Sequence, residues 1–306
     1  LNDWNNTFSS KKSALASKFS DEFNRSFHLS KKADRGETQI SEITNDFSNP
    51  LLFYRNENQV DILKVKLEKP LQIGESTTLK IKYQVTLPNT KFTKFGFSEN
   101  KILLKNCFLT ISAFNSETQS EENSDDLTSE ISNYKVDIQY DNLFLTTDLD
   151  ITNSTNNSSQ LTGNSRSNFF IVLEKTNSYE EFKNQKINVV TNLKTKDVLI
   201  YYKVLVIDKI TNYVAENIGV SNQEKIMVSQ EDYDREAFYG LNELPSFISP
   251  FNDDFIFELK FLKTYLNNYL AANLKINFRK DHWILEGIQH YYIKKYIDEN
   301  YPDTKA

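Results

Sequence analysis

The final third of the chain carries the residues whose types and spacing are best suited to chemistry. His282, Glu286 and His290 recur at every fourth position, so a helix would place their side chains on one face. Either adjacent pair could hold a metal ion between two turns. All three cannot readily reach one ion, because the first and last lie about 12 Å apart at about 1.5 Å per residue. Packing and hydrogen bonding are therefore the favoured roles, and a metal on this face is the alternative.

Other catalytic patterns are not found in the sequence. The chain has only 7 glycines, with no glycine-rich phosphate loop and no Gly-x-Ser-x-Gly nucleophile elbow. The single cysteine, Cys107, lies in a strand-like run and is expected to be buried as a small apolar residue. The acidic pair Asp253-Asp254 is expected to favour the start of the following helix through the helix dipole.

Composition limits the class of protein and its partners. At 306 residues the chain is about twice a usual domain, which predicts two domains. The 36 basic and 42 acidic residues give a net charge of -6, which argues against nucleic acid or an anionic membrane as the main partner. No apolar run approaches the ~20 residues of a membrane helix. The chain starts with Leu1 and has no signal-peptide pattern, so we expect it to be a piece of a larger protein.

The first two thirds of the chain are expected to be rich in β-strands that follow a short helix. Leucine and phenylalanine recur at spacing four from Ser10 to Phe27, which predicts an amphipathic helix. From Leu51 to Thr110 apolar residues alternate with polar ones, as half-buried antiparallel strands require. The polar stretches from Asn115 to Asn133 and from Asn153 to Ser167 have no apolar period and are expected to be solvated loops.

After residue 195 the pattern becomes mainly helical. Apolar residues recur at helical spacing in three segments, with a short strand-like run from Glu224 to Val228 between the first two. The first predicted helix begins after Thr195. The other two cover, roughly, Phe255 to Leu274 and His282 to Asp298. We therefore place a domain boundary near residue 195.

The last of these helices resembles a known family. Its sequence, Asp281-His282-Trp283-Ile284-Leu285-Glu286-Gly287-Ile288-Gln289-His290-Tyr291, contains a Trp-x-x-Glu-Gly-x-x-x-Tyr run. That run is similar to the second zinc helix of aminopeptidase N-type metallopeptidases, the gluzincins. In that family an H-E-x-x-H helix precedes the glutamate, and eighteen residues separate the second histidine from it, because all three ligands must converge on one zinc ion.

The resemblance implies that the zinc chemistry has been lost. Counted back from Glu286, the first histidine position is Lys263, the general-base position is Thr264 and the second histidine position is Asn267. A shifted alignment that starts at Phe257 keeps a glutamate, Glu258, in the second place but has phenylalanine at both histidine positions, so it does not coordinate zinc. Without two imidazoles and a base, neither the Lewis acid nor the nucleophile of the family's reaction is present.

Other matches extend the resemblance along the chain. The segment from Leu87 to Phe97 resembles the family's β-saddle domain, and Gly240 and Glu243 match two positions of its Gly-x-Met-Glu-Asn substrate strand. In active relatives that glutamate holds the free amino group of the substrate. The resemblance implies an α+β fold. An amino-terminal helix or linker (residues 1–30) precedes a β-rich saddle or sandwich domain (31–195), and the first part of a thermolysin-like helical domain (196–306) follows, with the catalytic domain truncated.

The favoured functional interpretation is a non-catalytic metallopeptidase homologue, a pseudo-aminopeptidase that binds a peptide or protein or serves as a scaffold. The alternative is part of an active aminopeptidase whose remaining catalytic groups lie outside this chain, so enzyme activity is left open. No cofactor is expected, and zinc would be expected only under the alternative. The resemblance, the Asn- and Lys-rich composition and the single cysteine suggest a bacterial envelope protein that is periplasmic, outer-membrane-associated or secreted.

Overall fold

The fold is mixed α+β, as the sequence predicts, with several antiparallel strand pairs. The computed structural model describes residues 1–21, 23–57, 59–93, 95–112, 129–195, 198–235, 237–238, 251–274, 276 and 278–302. The chain divides into two compact units, and each is discontinuous. Unit 1 contains 1–133 and 167–175, and unit 2 contains 134–166 and 176–306. The boundary expected near residue 195 lies within unit 2.

The helices and strands follow in chain order. The α-helices are α1 (Ala14–Asp21), α2 (Thr90–Thr93), α3 (Ile200–Asn217), α4 (Gln230–Arg235), α5 (Asp253–Asn273) and α6 (Phe278–Asn300). The strands are β1 (Glu37–Thr44), β2 (Phe53–Asn56), β3 (Gln59–Val65), β4 (Lys80–Thr86), β5 (Gly96–Phe97), β6 (Lys101–Leu104), β7 (Ser132–Gln139), β8 (Phe144–Thr147), β9 (Asp150–Ser154), β10 (Ser158–Arg166), β11 (Ile171–Glu174), β12 (Glu180–Lys183), β13 (Asn188–Thr191) and β14 (Lys225–Val228).

Unit 1 begins with a buried 3-10 helix, Trp4–Ser9, rather than with a long amphipathic helix. The helix predicted from Ser10 to Phe27 is shorter, because α1 ends at Asp21 and Phe23 adopts a positive φ of 57°. The chain then reverses so that Phe27 stacks on Phe19, with ring centroids 5.5 Å apart. Phe23 is left 94% exposed. Phe19 and Phe27 are therefore buried as the helical spacing predicts, whereas Phe23 is not.

The strands of unit 1 confirm the period of two. β1 pairs with β4, β2 pairs with β3, and β6 lies between β5 and β11. The strands of these four pairs are antiparallel. Ile43, Leu51 and Leu63 are buried together beneath these strands. Cys107 is buried as predicted, and burial raises the pKa of its thiol to about 12.

The prediction of a loop from Asn153 to Ser167 is wrong, because this polar run forms most of the β9–β10 antiparallel pair in unit 2. Ser159 and Leu161 are buried at alternate positions of β10. The Ser159 hydroxyl is hydrogen-bonded to that of Tyr140 at 2.9 Å. A buried hydroxyl that finds a partner can occupy an inward strand position without apolar character, so a pattern of apolar residues alone does not reveal this strand.

Unit 2 combines the β12-β13-β14 sheet with three long helices. β13 and β14 are parallel, and α3 lies between them in sequence, as a parallel pair requires a crossover. Helix α5 packs against β14, α3 and α6. The predicted strand and the predicted helices agree closely with β14, α3, α5 and α6, although α6 has a non-helical backbone at Asp281. No helix within the described ranges has the length and apolar character to cross a membrane.

Candidate functional site

Helices α5 and α6 bring the positions of interest together. The Asn252 side chain caps α5 by accepting a hydrogen bond from the Phe255 backbone N–H at 2.8 Å. Asp253 and Asp254 lie in the first turn, as predicted from the helix dipole. The Gln289 side chain on α6 donates to the backbone carbonyl of Lys263 on α5 at 3.0 Å. This contact fixes α6 beside the part of α5 where the resemblance places the first histidine.

The side chains at the three matching positions on α5 are not arranged as metal ligands. The Lys263 ammonium lies over the Phe238 ring, 4.8 Å from its centroid. Thr264 is buried, and its hydroxyl donates to the backbone carbonyl of Lys260 at 2.9 Å. Asn267 is half-buried. None of these groups is an imidazole, and an ammonium at the first position would repel a divalent cation.

The candidate residues on α6 contact one another but do not converge on one point. Nε2 of His282 lies 3.5 Å from Oε1 of Glu286. Nδ1 of His290 lies 2.8 Å from the backbone carbonyl of Glu286, not from its carboxylate. The Glu286 side chain is 56% exposed. Within the part of the chain that the structure describes, no group of three or more His, Cys, Asp or Glu residues could hold a metal ion.

The residues at the family's zinc positions therefore do not fit a zinc ion. Lys263, Thr264 and Asn267 offer no imidazole, thiolate or carboxylate ligand, and Glu286 is paired with His282. The remaining candidates, Gly240 and Glu243, lie outside the described residues.

A second cluster, which the sequence did not reveal, surrounds Glu258 on α5. Glu258 is only 2% exposed, yet four side chains donate to its carboxylate. Oε1 accepts from Nζ of Lys209 at 2.8 Å and from the Tyr296 hydroxyl. Oε2 accepts from the hydroxyls of Tyr301 at 2.7 Å and Tyr202 at 3.2 Å. We call these five residues the Glu258 cluster; it joins α3, α5 and the carboxyl-terminal end of α6.

The charges of the Glu258 cluster are held in place by these donors. Burial acts to raise the pKa of Glu258, but the hydrogen bonds from Lys209, Tyr296 and Tyr301 outweigh it and the pKa lies below its ordinary value. Burial and the neighbouring carboxylate raise the pKa of Tyr202 to about 12 and raise that of Tyr296 further. The carboxylate is thus ionised and the phenols are neutral at pH 7. Because both carboxylate oxygens already accept hydrogen bonds from these donors, Glu258 is not arranged to act as a general base.

The Glu258 cluster escapes sequence analysis because its members are far apart in the chain. The donors lie 38 to 56 residues from Glu258, and each tyrosine fits the helical apolar period equally well as packing material. The one available signal was a glutamate, Glu258, within an apolar stretch of a predicted helix. A buried carboxylate requires partners, although the sequence does not say which.

The side chain of Lys260 is a second buried charged group on α5. Its ammonium donates to the Lys194 carbonyl at 3.2 Å and to Oε1 of Gln230 at 3.3 Å, and it lies over the Tyr233 ring. Burial lowers its pKa. These contacts connect α5 to α4 and to the chain that follows β13, a structural role for a cation.

Unit 1 contains its own buried carboxylate, Asp3, which is 1% exposed. Oδ1 accepts from the Thr38 hydroxyl at 2.8 Å and from the Asn6 backbone N–H at 3.3 Å, and Oδ2 accepts from Arg55. Burial raises the pKa of Asp3, and the contribution of Arg55, Thr38 and Asn6 is not sufficient to reverse the shift. Asp3 thereby ties the 3-10 helix to β1 and β2.

Unit 2 also presents an apolar surface to solvent. Leu199 and the first turns of α3 expose side chains that would ordinarily be buried. We call these residues the α3 apolar surface: Leu199, Ile200, Tyr201, Val204 and Leu205, each between 40% and 62% exposed. A contiguous apolar group of this kind is typical of an interaction site.

Comparison with known proteins adds no assignment. No protein-family model matches this sequence, and a search of curated proteins finds no match.

Proposed function

We propose that this chain is a non-catalytic relative of aminopeptidase N-type metallopeptidases that acts as a peptide- or protein-binding or scaffold module. The finer fold assignment belongs to the same proposal, with residues 31–195 as a β-saddle domain and 196–306 as the first part of a thermolysin-like domain. It is supported by the change from strand-rich to helix-rich structure along the chain and by the neighbouring positions of α5 and α6. We place the protein in the bacterial cell envelope: periplasmic, outer-membrane-associated or secreted.

The observation that carries the proposal is the identity and the contacts of the side chains at the positions that match the family's zinc motif. The Lys263 ammonium is directed at an aromatic ring, the Thr264 hydroxyl is used within its own helix, and Glu286 is exposed beside His282. A metallopeptidase of this family needs two imidazoles, a carboxylate ligand and a base that deprotonates the zinc-bound water. At these positions the chain retains only the carboxylate ligand.

Binding is favoured over a purely inert role by the α3 apolar surface. Exposing five large apolar side chains on one stretch of helix is unfavourable in water, at about 25 cal/mol per Å² of apolar area. A partner that covers them recovers this free energy. The net charge of -6 supports a peptide or protein partner over nucleic acid.

Elemental analysis of the purified chain tests the loss of zinc chemistry. We expect no stoichiometric zinc after equilibration with the metal, and no release of amino acids from aminopeptidase substrates. The variant Lys263→His with Asn267→His introduces two imidazoles one turn apart on α5, and under the proposed alignment, with Glu286 as the third ligand, it should gain one zinc ion per chain. Adding Glu286→Gln to this variant should weaken zinc binding, because the third ligand loses its charge.

Two outcomes would overturn parts of the proposal. Stoichiometric zinc and peptidase activity in the unmodified chain would favour an active metallopeptidase instead. Failure of the two-histidine variant to bind zinc, with native circular dichroism, would reject the alignment that pairs Lys263 and Asn267 with the family's histidines.

A further inference from the structure

We propose that the side chains of Lys260 and Gln230 join in a covalent amide, an isopeptide bond, with release of ammonia. Asp234 is the catalytic carboxylate of this reaction, which the chain carries out on itself. The inference goes beyond the proposed function and does not depend on it.

The two reacting groups meet in the interior of unit 2. Lys260 on α5 is 7% exposed, and Gln230, the first residue of α4, is 8% exposed. Nζ of Lys260 lies 3.3 Å from Oε1 of Gln230. The amide C=O bond is about 1.23 Å long, so Nζ lies no more than about 4.5 Å from the carboxamide carbon Cδ. Rotation of the flexible lysine side chain closes the gap to an attacking distance of about 3–3.5 Å.

Burial prepares the amine of Lys260 as a nucleophile. Only neutral lysine can attack a carbonyl, and removal from water disfavours the ammonium. Burial lowers the pKa of Lys260 despite the neighbouring charge of Asp234. The ring of Tyr233, which is 2% exposed, has its centroid 4.8 Å from Nζ and covers the amine. The site therefore holds a larger neutral fraction of lysine than a surface position would.

The carboxamide of Gln230 is oriented and polarised by residues that follow β13. Oε1 accepts from the backbone N–H of Lys194 at 2.9 Å, which places a donor where negative charge develops when a nucleophile adds to the carbonyl. The Gln230 backbone N–H donates to Oδ1 of Asn192 at 2.8 Å. Nζ of Lys260 also donates to the Lys194 carbonyl at 3.2 Å. The same short segment thus holds both the amide and the amine.

Asp234 is placed to transfer the proton. It lies one helical turn beyond Gln230, and its Oδ1 accepts from Nε2 of Gln230, the atom that leaves, at 2.7 Å. In the tetrahedral intermediate Nζ and Nε2 are both bonded to Cδ, so a carboxylate beside one nitrogen is close to the other. Asp234 is exposed, and ammonia that leaves beside it reaches solvent.

The atoms and electrons of the step balance within these groups. The lone pair of Nζ forms a bond to Cδ, and the electron pair of the C=O bond moves to Oε1. Asp234 takes a proton from Nζ and gives it to Nε2. The carbonyl re-forms as the Cδ–Nε2 bond breaks, and ammonia leaves. The product links α4 to α5, and Asp234 is again a carboxylate.

The test is the mass of the complete 306-residue chain. The chain is synthesised in a cell-free system, and samples taken over time are analysed by mass spectrometry under denaturing conditions. We expect a mass that is lower than the sequence mass by one ammonia. Trypsin cleaves after lysine only where its amine is free, so it should release residues 226–235 joined to residues 236–263. In an unlinked chain these two peptides separate, and cleavage also occurs after Lys260.

Variants test the role of each group. Lys260→Met removes the nucleophile and should abolish the loss of ammonia. Asp234→Asn keeps an oxygen for Nε2 of Gln230 but cannot carry the proton, so the linked chain should form about a hundredfold more slowly or less. Because Asp234 is exposed, this variant tests the chemistry even if Lys260→Met does not fold. The matched controls, Lys209→Met and Asp253→Asn, lie elsewhere in unit 2 and should react like the native chain.

Three results would overturn this inference. An unchanged mass after prolonged incubation, in a chain with native circular dichroism, would show that Lys260 is only a buried cation. Loss of ammonia that maps to an asparagine would assign it to cyclisation at that residue. Equal rates in the native chain and in Asp234→Asn would reject Asp234 as the proton carrier.

Discussion

Asp3 in unit 1 and Glu258 in unit 2 are comparably buried carboxylates, but their pKa values are shifted in opposite directions. The pKa of Asp3 is raised from 3.8, whereas that of Glu258 is lowered from 4.5. Burial opposes the charge at both sites. What differs is the set of donors, because Glu258 accepts from one ammonium and three phenols, and Asp3 accepts from one guanidinium, one hydroxyl and one backbone N–H.

The comparison shows that burial alone does not set the direction in which the pKa of a carboxylate is shifted. Each donor stabilises the ionised form by a charge-assisted hydrogen bond. The four side-chain donors of Glu258 lower its pKa despite burial. Asp3 has fewer donors, so burial has the larger effect and its pKa is raised. The hydrogen bonds of the Glu258 cluster connect the long helices α3, α5 and α6. Those of Asp3 connect shorter elements, the 3-10 helix, β1 and β2.

The largest expected effect comes from removing the charge of Glu258. Glu258→Gln places an amide N–H₂ among donors, so two of the four lose an acceptor in a buried site. We expect the free energy of unfolding of unit 2 to fall by about 3–5 kcal/mol. Urea denaturation followed by far-ultraviolet circular dichroism measures this, because the long helices α3, α5 and α6 all belong to unit 2.

The exposed carboxylate Glu286 provides the matched control. Glu286→Gln should change stability by less than about 0.5 kcal/mol, as is usual at the surface. Because the folded pKa of Glu258 is lowered, its stabilisation is complete above pH 4.5 and is lost as the pH falls through the folded value. The stability gap between the native chain and Glu258→Gln should therefore narrow in acid. A gap that stays constant across this range would contradict the shift.

A smaller effect with the opposite pH trend is expected at Asp3. Asp3→Asn keeps an oxygen for Thr38 and Asn6 but leaves Arg55 facing an amide, at a cost of about 1–3 kcal/mol. Because the folded pKa of Asp3 is raised, the native chain loses stability as the pH rises from 3.8 through the folded value, and the variant does not. Trp4 is buried in unit 1 and Trp283 lies in unit 2, so the fluorescence of Trp4 during denaturation, measured with Trp283→Phe in both chains, reports unit 1.

The stability gap between the native chain and Asp3→Asn should therefore narrow as the pH rises. If both carboxylate variants showed the same pH trend, the contrast between the two sites would be wrong.

The smallest effect is expected for the cation of the Glu258 cluster. Lys209 is 42% exposed, so solvent screens its attraction to Glu258, and Lys209→Met should cost about 0.2–1 kcal/mol. The variant should also raise the pKa of Glu258 and move the acid unfolding of unit 2 to higher pH. A cost as large as that of Glu258→Gln would mean that the ammonium, and not the three phenols, dominates the cluster.

Local patterns in the sequence predicted most of the helices and strands in which apolar residues recur at regular spacing. Helices α5 and α6, strand β14 and the alternating strand β4 follow from spacing, and Asp253-Asp254 marked the start of α5. The period failed where polar side chains pack, as at Ser159 in β10. It failed again at Phe23, where a positive φ ends a pattern that the residue types continue.

The candidate zinc positions were also readable from sequence, because Lys263, Thr264 and Asn267 lack ligand chemistry in any fold. The sequence by itself thus determined the types of the apolar-patterned elements α5, α6, β4 and β14, the burial of Cys107 and the absence of imidazoles at those positions. Only the tertiary structure decided that Tyr202, Lys209, Tyr296 and Tyr301 converge on Glu258, and that Leu205 and its neighbours stay exposed. The physical reason is that local spacing fixes which face of an element is apolar, whereas partners and coverage depend on elements that are distant in the chain.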